Sequence, residues 1–337
     1  MTQGLLTRSG IIPCGYTQDV PGIIGRSIRD VAIGISVMAS VGYDNKDNKT
    51  ALGIGHRTDT DYAKHIRGDA LNRTLRIGIL DRFFSNNTNP DTVAVNSVMD
   101  SVVDKLSDNG VEFVHITNPI FNSAQLISLY DVQRFEFRQL LDEYFETTHR
   151  NNTNINSLSA LLSSGLYFVD PHQTAWYNLT FTYSTNTPEY KERIAEITQN
   201  LTIHLLKTFA DYNLSAIIYP QQQHLVLPIG SPTQSGRNGI LAAVTGFPAV
   251  CIPAGFSSVS FSAPIGVPIG MEILGLPFTE GELLNLAHSI NNVLQARHTP
   301  QLAHISVNTT YNLTTVPSVK PNSTLPSPYV LGPAIKL

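Results

Sequence analysis

Sulfur is scarce in this chain of 337 residues, which holds two cysteines and four methionines. Cys14 and Cys251 cannot build a disulfide framework, and two thiols cannot by themselves close a structural zinc site. A single Cys14–Cys251 bridge stays open; the sequence is read as carrying two buried thiols. Charge is thin as well, at 14% of residues, with 22 Lys+Arg against 26 Asp+Glu and a formal net charge of -4. That balance leaves no broad basic surface, so nucleic-acid binding through phosphate contacts is excluded as the main task. No apolar run approaches the roughly 18 residues that a membrane span needs. The opening Met1-Thr2-Gln3-Gly4 lacks a basic segment followed by an apolar stretch, so no signal peptide is read there.

Familiar catalytic signatures are missing too. The chain has no G-x-S-x-G elbow, no G-x-G-x-x-G after a strand and no phosphate-cradling G-x-x-x-x-G-K-[ST]. Its ten histidines are scattered without H-x-x-x-H or H-E-x-x-H spacing, so no metal site is expected.

Asparagine, by contrast, is abundant. Of 25 copies, ten open an N-x-S/T sequon: Asn48, Asn72, Asn86, Asn151, Asn178, Asn200, Asn213, Asn308, Asn312 and Asn322. Chance at this composition gives roughly four. Two readings follow, an Asn/Thr-rich surface or a protein whose full-length form enters a secretory pathway. We take the second as the expectation for localisation.

Periodicity places the elements. Val31, Ile35 and Met38/Ala39 recur three to four apart and predict a helix from about Ser27 to Ala39, ended by Gly42. A β-α-β unit is read over residues 75–120. Leu75 to Leu80 is a buried strand, Asn89-Pro90 starts a helix with an apolar stripe, Gly110 ends it, and Val111 to Ile116 is the next strand, parallel to the first. Residues 121–210 read as a largely helical insert. A sheet-rich core over 214–298 follows, with strands at Ala216 to Tyr219, Ala249 to Ile252 and Ile269 to Leu274. A short apolar helix over Asn238 to Thr245 and a last helix over Glu280 to Arg297 complete it. Beyond Pro300 a Pro/Thr/Asn-rich tail has little periodicity. The class is α/β, a mixed β-sheet core flanked by helices.

Candidate chemistry is sparse. Ser231 and Ser235 lie in a polar, glycine-bearing segment between a strand and a helix, where α/β sheets place ligand contacts. The segment reads equally well as a tight loop whose hydroxyls cap the next helix. Arg237 beside them either holds a substrate oxygen or pairs with a structural acid. Cys14 near Asp19 has no visible histidine partner and reads as a core thiol rather than a nucleophile.

Three segments together resemble the amidase signature family. The first is Gly4-Leu5-Leu6-Thr7-Arg8-Ser9-Gly10-Ile11-Ile12-Pro13, running through Thr17-Gln18-Asp19-Val20-Pro21-Gly22 into the Arg26 to Ala39 helix. The second is Gly246-Phe247-Pro248-Ala249-Val250 with Ile252-Pro253-Ala254-Gly255-Phe256. The third is Pro264-Ile265-Gly266-Val267-Pro268-Ile269-Gly270-Met271-Glu272-Ile273-Leu274-Gly275, with Pro277-Phe278-Thr279-Glu280 opening the last helix. Their order resembles the C-terminal half of the family, and the Asn-rich insert with the run 231–238 is most similar to its fungal branch.

The resemblance implies hydrolysis of a carboxamide C–N bond by a Ser–cis-Ser–Lys triad, without metal or organic cofactor, on a small-molecule amide substrate. The glycine- and serine-rich signature that carries both serines is not found. No two glycines are adjacent anywhere in the chain, and none of the eight lysines sits at the matching position. No catalytic residue is therefore carried over. What carries over is pocket wall: Thr17 and Asp19 on one side of the substrate channel, Arg237 and Asn238 on the other. Asp19 either accepts a hydrogen bond from an amide or amine, or caps the turn at Val20-Pro21-Gly22. The expectation is an amidase-family fragment, inactive as this chain, with apolar surface left exposed toward the missing catalytic half. The alternative is a non-catalytic pseudoenzyme or small-molecule-binding module that keeps the channel loops. Unaided hydrolysis through Ser231, Ser235 or Cys14 is the remote third.

Overall fold

The computed structural model describes residues 1–56, 60–148, 155–164, 171–227, 235–260 and 263–298. The tail read at 301–337 and Ser231 lie outside the described residues.

Five strands form one mixed sheet: β1 (Leu75–Leu80), β2 (Val111–Ile116), β3 (Ala216–Pro220), β4 (Ala249–Phe256) and β5 (Pro268–Leu274), in the order β2-β1-β3-β5-β4. β2, β1 and β3 run parallel; β5 is antiparallel to β3, and β4 to β5. The fold class agrees with the sequence reading, including the parallel β1–β2 pair.

Local chemistry sets the flanking helices. α1 (Ile28–Ala39) opens with a capping box, in which Ser27 Oγ accepts from the Asp30 N–H and the Asp30 carboxylate accepts from the Ser27 N–H. α2 (Pro90–Ser107) is capped by Asn89 Oδ1 on the Thr92 N–H, with Pro90 supplying the fixed φ of a first helical turn. α3 (Ser123–Tyr130), α4 (Gln133–Thr148), α5 (Leu158–Ser164), α6 (Pro171–Thr180), α7 (Pro188–Glu196) and α8 (Thr202–Asp211) make up the helical insert. A π turn at Ile197–Leu201 joins α7 to α8. α9 (Ile240–Thr245) ends at Gly246, whose φ of 70° is left-handed; a Cβ there would meet Gln3 Cβ at 2.9 Å. α10 (Glu280–Leu294) stops three residues before the expected Arg297, because Gln295 turns left-handed at φ 46°.

One face of the sheet, with Ile77, Ile79, Ile218, Met271 and Ile273, packs against α1, α2 and α10. The other, with Ile217, Tyr219 and Leu274, packs against α3, the start of α4, α8 and α9. β4 forms a sheet edge, and this exposes one expectation as wrong. Cys251 alternates to the second face, which no helix covers at that edge, so it is exposed, while Cys14 is half-buried. Both thiols are free rather than bridged, and neither residue is fully buried. Ile11-Ile12-Pro13 lies in a loop. Ten of the twenty exposed large apolar side chains described fall between Ile11 and Ile54. Three of them, Ile33, Val37 and Val41, lie four residues apart along the outer side of α1 and just past its end.

Candidate functional site

The four sequence-predicted wall residues fall at the two ends of α9. At its N-terminal end the chain leaves β3 and returns through a short antiparallel stem. The Gln223 N–H donates to the Gly236 carbonyl at 2.9 Å, and the Asn238 N–H to the Gln221 carbonyl at 3.1 Å. Asn238 is fully buried. Its Nδ2 donates to the carbonyls of Phe83 (2.7 Å) and Pro220 (2.8 Å), tying the loop after β1 to the end of β3. Its Oδ1 accepts from Gln223 Nε2 at 3.3 Å. Arg237 is exposed; its carbonyl accepts from Ser123 Oγ at 2.9 Å, and its guanidinium has no partner among the described residues.

At the C-terminal end of α9 the Gln3 N–H donates to the Gly246 carbonyl at 2.9 Å, and Gln3 Nε2 donates to the Thr17 carbonyl at 2.6 Å. Gln3 thereby links Thr17 to the C-terminal end of the helix that Asn238 precedes. The Thr17 N–H (3.0 Å) and hydroxyl both donate to Glu136 of α4, a carboxylate only 1% exposed. The Tyr190 hydroxyl donates to the same group at 2.6 Å, and burial with Glu136 pushes the phenol well above its ordinary range. Asp19 does not cap the Val20-Pro21-Gly22 turn. Its carboxylate reaches back and accepts the N–H groups of Cys14 (2.7 Å) and Gly15 (2.9 Å).

Sequence reasoning missed a polar row across the sheet near the start of α9. Tyr219 on β3, Glu272 on β5 and Cys251 on β4 are register partners and share one face. The Tyr219 hydroxyl donates to Glu272 Oε1 at 2.6 Å. Burial raises the Glu272 carboxyl above the usual carboxylate range, against the pull of that hydrogen bond. Gly239 opens the approach: a Cβ there would meet Gln221 Nε2 at 3.5 Å and Glu272 Oε2 at 3.7 Å. Gln221 Oε1 is buried without a partner. The signal in the sequence was one carboxylate inside the apolar run Met271-Glu272-Ile273.

Neither cysteine is a poised nucleophile. Burial, then the carboxylates of Asp19, Asp131 and Glu136, push the Cys14 thiol up to about 11. Cys251 is exposed as a residue, but its Sγ lies against the sheet, 3.1 Å from where a Gly270 Cβ would sit. Loss of water there and the Glu272 charge raise it to about 11 as well. At neutral pH such thiols are almost wholly protonated. Ser235 does not cap α9, whose N-cap is Gly239 without a side-chain bond. It meets His224 Nε2 at 3.2 Å, with His224 Nδ1 at 2.8 Å from the Leu225 carbonyl, an arrangement that makes Nε2 the acceptor. A separate cleft of about 660 Å³ opens at the other end of the sheet, beside Arg67, Asn72, Ser215 and Asn285, and none of the four wall residues lines it. Among the described residues no group of three metal-ligating side chains occurs, and no helix is long and apolar enough to cross a membrane.

A mixed sheet between two helical layers, with polar loops gathered around a short helix beside its parallel strands, defines an α/β scaffold. The chain belongs to the amidase family, whose sequence profile matches residues 2–284. It is 24% identical over 310 residues to one glutamyl-tRNA(Gln) amidotransferase subunit, from Orientia tsutsugamushi (strain Boryong), covering 88% of this chain and 59% of that protein. It is 24% identical to the mandelamide hydrolase of Pseudomonas putida, covering 89% of this chain and 55% of the relative. The peptide amidase of Stenotrophomonas maltophilia has the same fold, with a TM-score of 0.69 at 24% identity over 88% of this chain and 58% of that one. The chain thus spans somewhat more than half the length of these relatives.

Proposed function

We propose that this chain forms the substrate-channel wall of an enzyme that hydrolyses a small carboxamide, and that it is inactive by itself. The observation that carries the proposal is the amidase-family match over residues 2–284, in a chain that spans 59% of a curated relative and contains no glycine pair. The serine pair and lysine that the resemblance implies are then contributed by amidase sequence outside these 337 residues. The fungal-type assignment rests on the Asn-rich insert and the run 231–238 alone.

Within the wall the four residues divide by what their donors already do. Thr17 gives both its donors to Glu136, Asp19 takes two backbone N–H groups, and Asn238 gives both amide hydrogens to carbonyls. These three hold the channel loops in place. Arg237, exposed and uncommitted, is the residue that reaches the substrate, its fork matched to a carbonyl or carboxylate oxygen. Calorimetric titration with an aryl carboxamide tests this. Binding by the chain that weakens at least tenfold in Arg237→Ala is expected, and equal binding by the two proteins contradicts the assignment.

A further inference from the structure

The described asparagines differ by whether they open a sequon, as a matter of degree. Outside sequons most bond through their side chains, while Asn45, Asn156, Asn186 and Asn291 have no side-chain hydrogen bond among the described residues. Asn89 and Asn122 cap α2 and α3, Asn96 Nδ2 donates to the Ser85 carbonyl at 3.0 Å, and Asn109 Nδ2 donates to the Lys105 carbonyl at 2.8 Å. Asn238 and Asn285 are buried and donate through their amides. Inside sequons the pattern reverses. Asn48, Asn72, Asn86, Asn178 and Asn213 are all exposed, and none has a side-chain hydrogen bond among the described residues. Asn200, half-buried, is the exception, with Nδ2 on Glu196 Oε2 at 2.9 Å.

Short surface amides are ready to bond to nearby backbone, as the exposed Asn87, Asn109 and Asn118 do and the exposed Asn45, Asn156 and Asn186 do not, so the sequon asparagines are set apart by proportion. That difference is what a modified amide requires: the nitrogen that carries a bulky, hydrated substituent can neither be buried nor hold a helix end. The third sequon residue sharpens the choice. Thr50 and Thr180 are fully buried and spend their hydroxyls inside the fold. Thr74, Thr88 and Ser215 are exposed, and their hydroxyls have no hydrogen bond among the described residues.

We propose that Asn72, Asn86 and Asn213 carry N-linked oligosaccharide. In the transfer, the Asn Nδ2 attacks the anomeric carbon of a polyprenyl-diphosphate-linked oligosaccharide. A C–N bond forms, the carbon–oxygen bond to the diphosphate breaks, and the diphosphate leaves. One amide proton passes to a base of the host transferase, and the amide keeps its other N–H. No redox partner is involved. The three sites lie before β1, between β1 and α2, and between α8 and β3, all on connections at the rim of the sheet. Attached glycans there leave both packed faces undisturbed. Neither residues 1–47 nor residues 216–298 contain a sequon, so the loops at both ends of α9 stay bare.

The test is peptide mapping of the protein isolated from the cells that make it, after enzymatic deglycosylation in heavy-oxygen water. The expected result is heavy-labelled aspartate at positions 72, 86 and 213. In the same cells, Thr74→Ala, Thr88→Ala and Ser215→Ala each remove one of the three glycans and leave the others in place. These substitutions touch no hydrogen bond described in the fold, so loss of a glycan is not confused with loss of folding. Recovery of the three asparagines unlabelled and unmodified overturns the proposal, as does a label at position 86 that survives Thr88→Ala.

Discussion

Residues 75–116 and residues 11–54 contribute to one hydrophobic cluster, yet they are held in opposite ways. In the β1–α2–β2 unit, Leu75, Ile77, Met99, Val102 and Leu106 are each at most 1% exposed. The N-terminal stretch buries one side of α1 but leaves ten large apolar side chains in solvent, and fastens its loops with charge. Arg8 forks onto Asp47 at 2.5 and 2.9 Å, Asp44 takes the hydroxyls of Thr7 and Ser9, and Glu136 takes Thr17. The first region is held by burial. The second adds a few ionised groups to the burial of Ile28, Ala32, Ile35 and Ala39, and its outer apolar stripe on α1 contributes little to holding it down.

The strongest break of this contrast is in the buried unit. Leu106→Ala, fully enclosed, is expected to cost about 3 kcal/mol in chemical denaturation, the lost transfer energy plus a cavity. Asn238→Ala follows at about 2 kcal/mol, because the carbonyls of Phe83 and Pro220 lose a buried donor. Its hydrogen-exchange signature is loosening at the loops after β1 and β3 rather than in the strands.

Asp47→Ala is expected to cost about as much, about 2 kcal/mol, and to act locally. Burial raises the Asp47 carboxyl, but the Arg8 hydrogen bonds outweigh it and the net pKa lies below the ordinary carboxylate value. Asp44 is lowered to about 2 by the Ser9 and Thr7 hydroxyls. Both groups are held more tightly when ionised, so their stabilisation is complete above the ordinary carboxylate pKa of about 4 and is lost as pH falls toward the folded values. Hydrogen exchange between pH 4 and pH 2 should therefore open residues 7–50 before the sheet. Simultaneous opening of both regions would remove the distinction. The smallest effect is on the exposed stripe: Val37→Ser should change stability by less than about 0.5 kcal/mol.

Much of the contrast was legible in advance, and the reasons are local. The β1–α2–β2 unit announced itself through apolar periodicity bracketed by Asn89-Pro90 and Gly110, each acting within a few residues. Sheet order was not legible, because β3 inserts beside β1 from more than 130 positions away. Pairings at that range leave no mark on spacing. Thr17 and Asn238 were found through resemblance, but their partners were not. Glu136 meets Thr17 across 119 positions and sits in a helix whose mixed sequence gave no reason to single it out. Cys251 was read as a buried thiol; at the edge of β4 the residue is exposed although its Sγ lies against the sheet.

The most direct measurement of the central claim is intact-mass analysis of the 337-residue chain after exposure to a fluorophosphonate that phosphonylates reactive serines with loss of fluoride. The proposal of a channel wall without a reacting serine predicts an unmodified mass. A stoichiometric adduct, whether removed by Ser235→Ala or mapped to another serine, would contradict it.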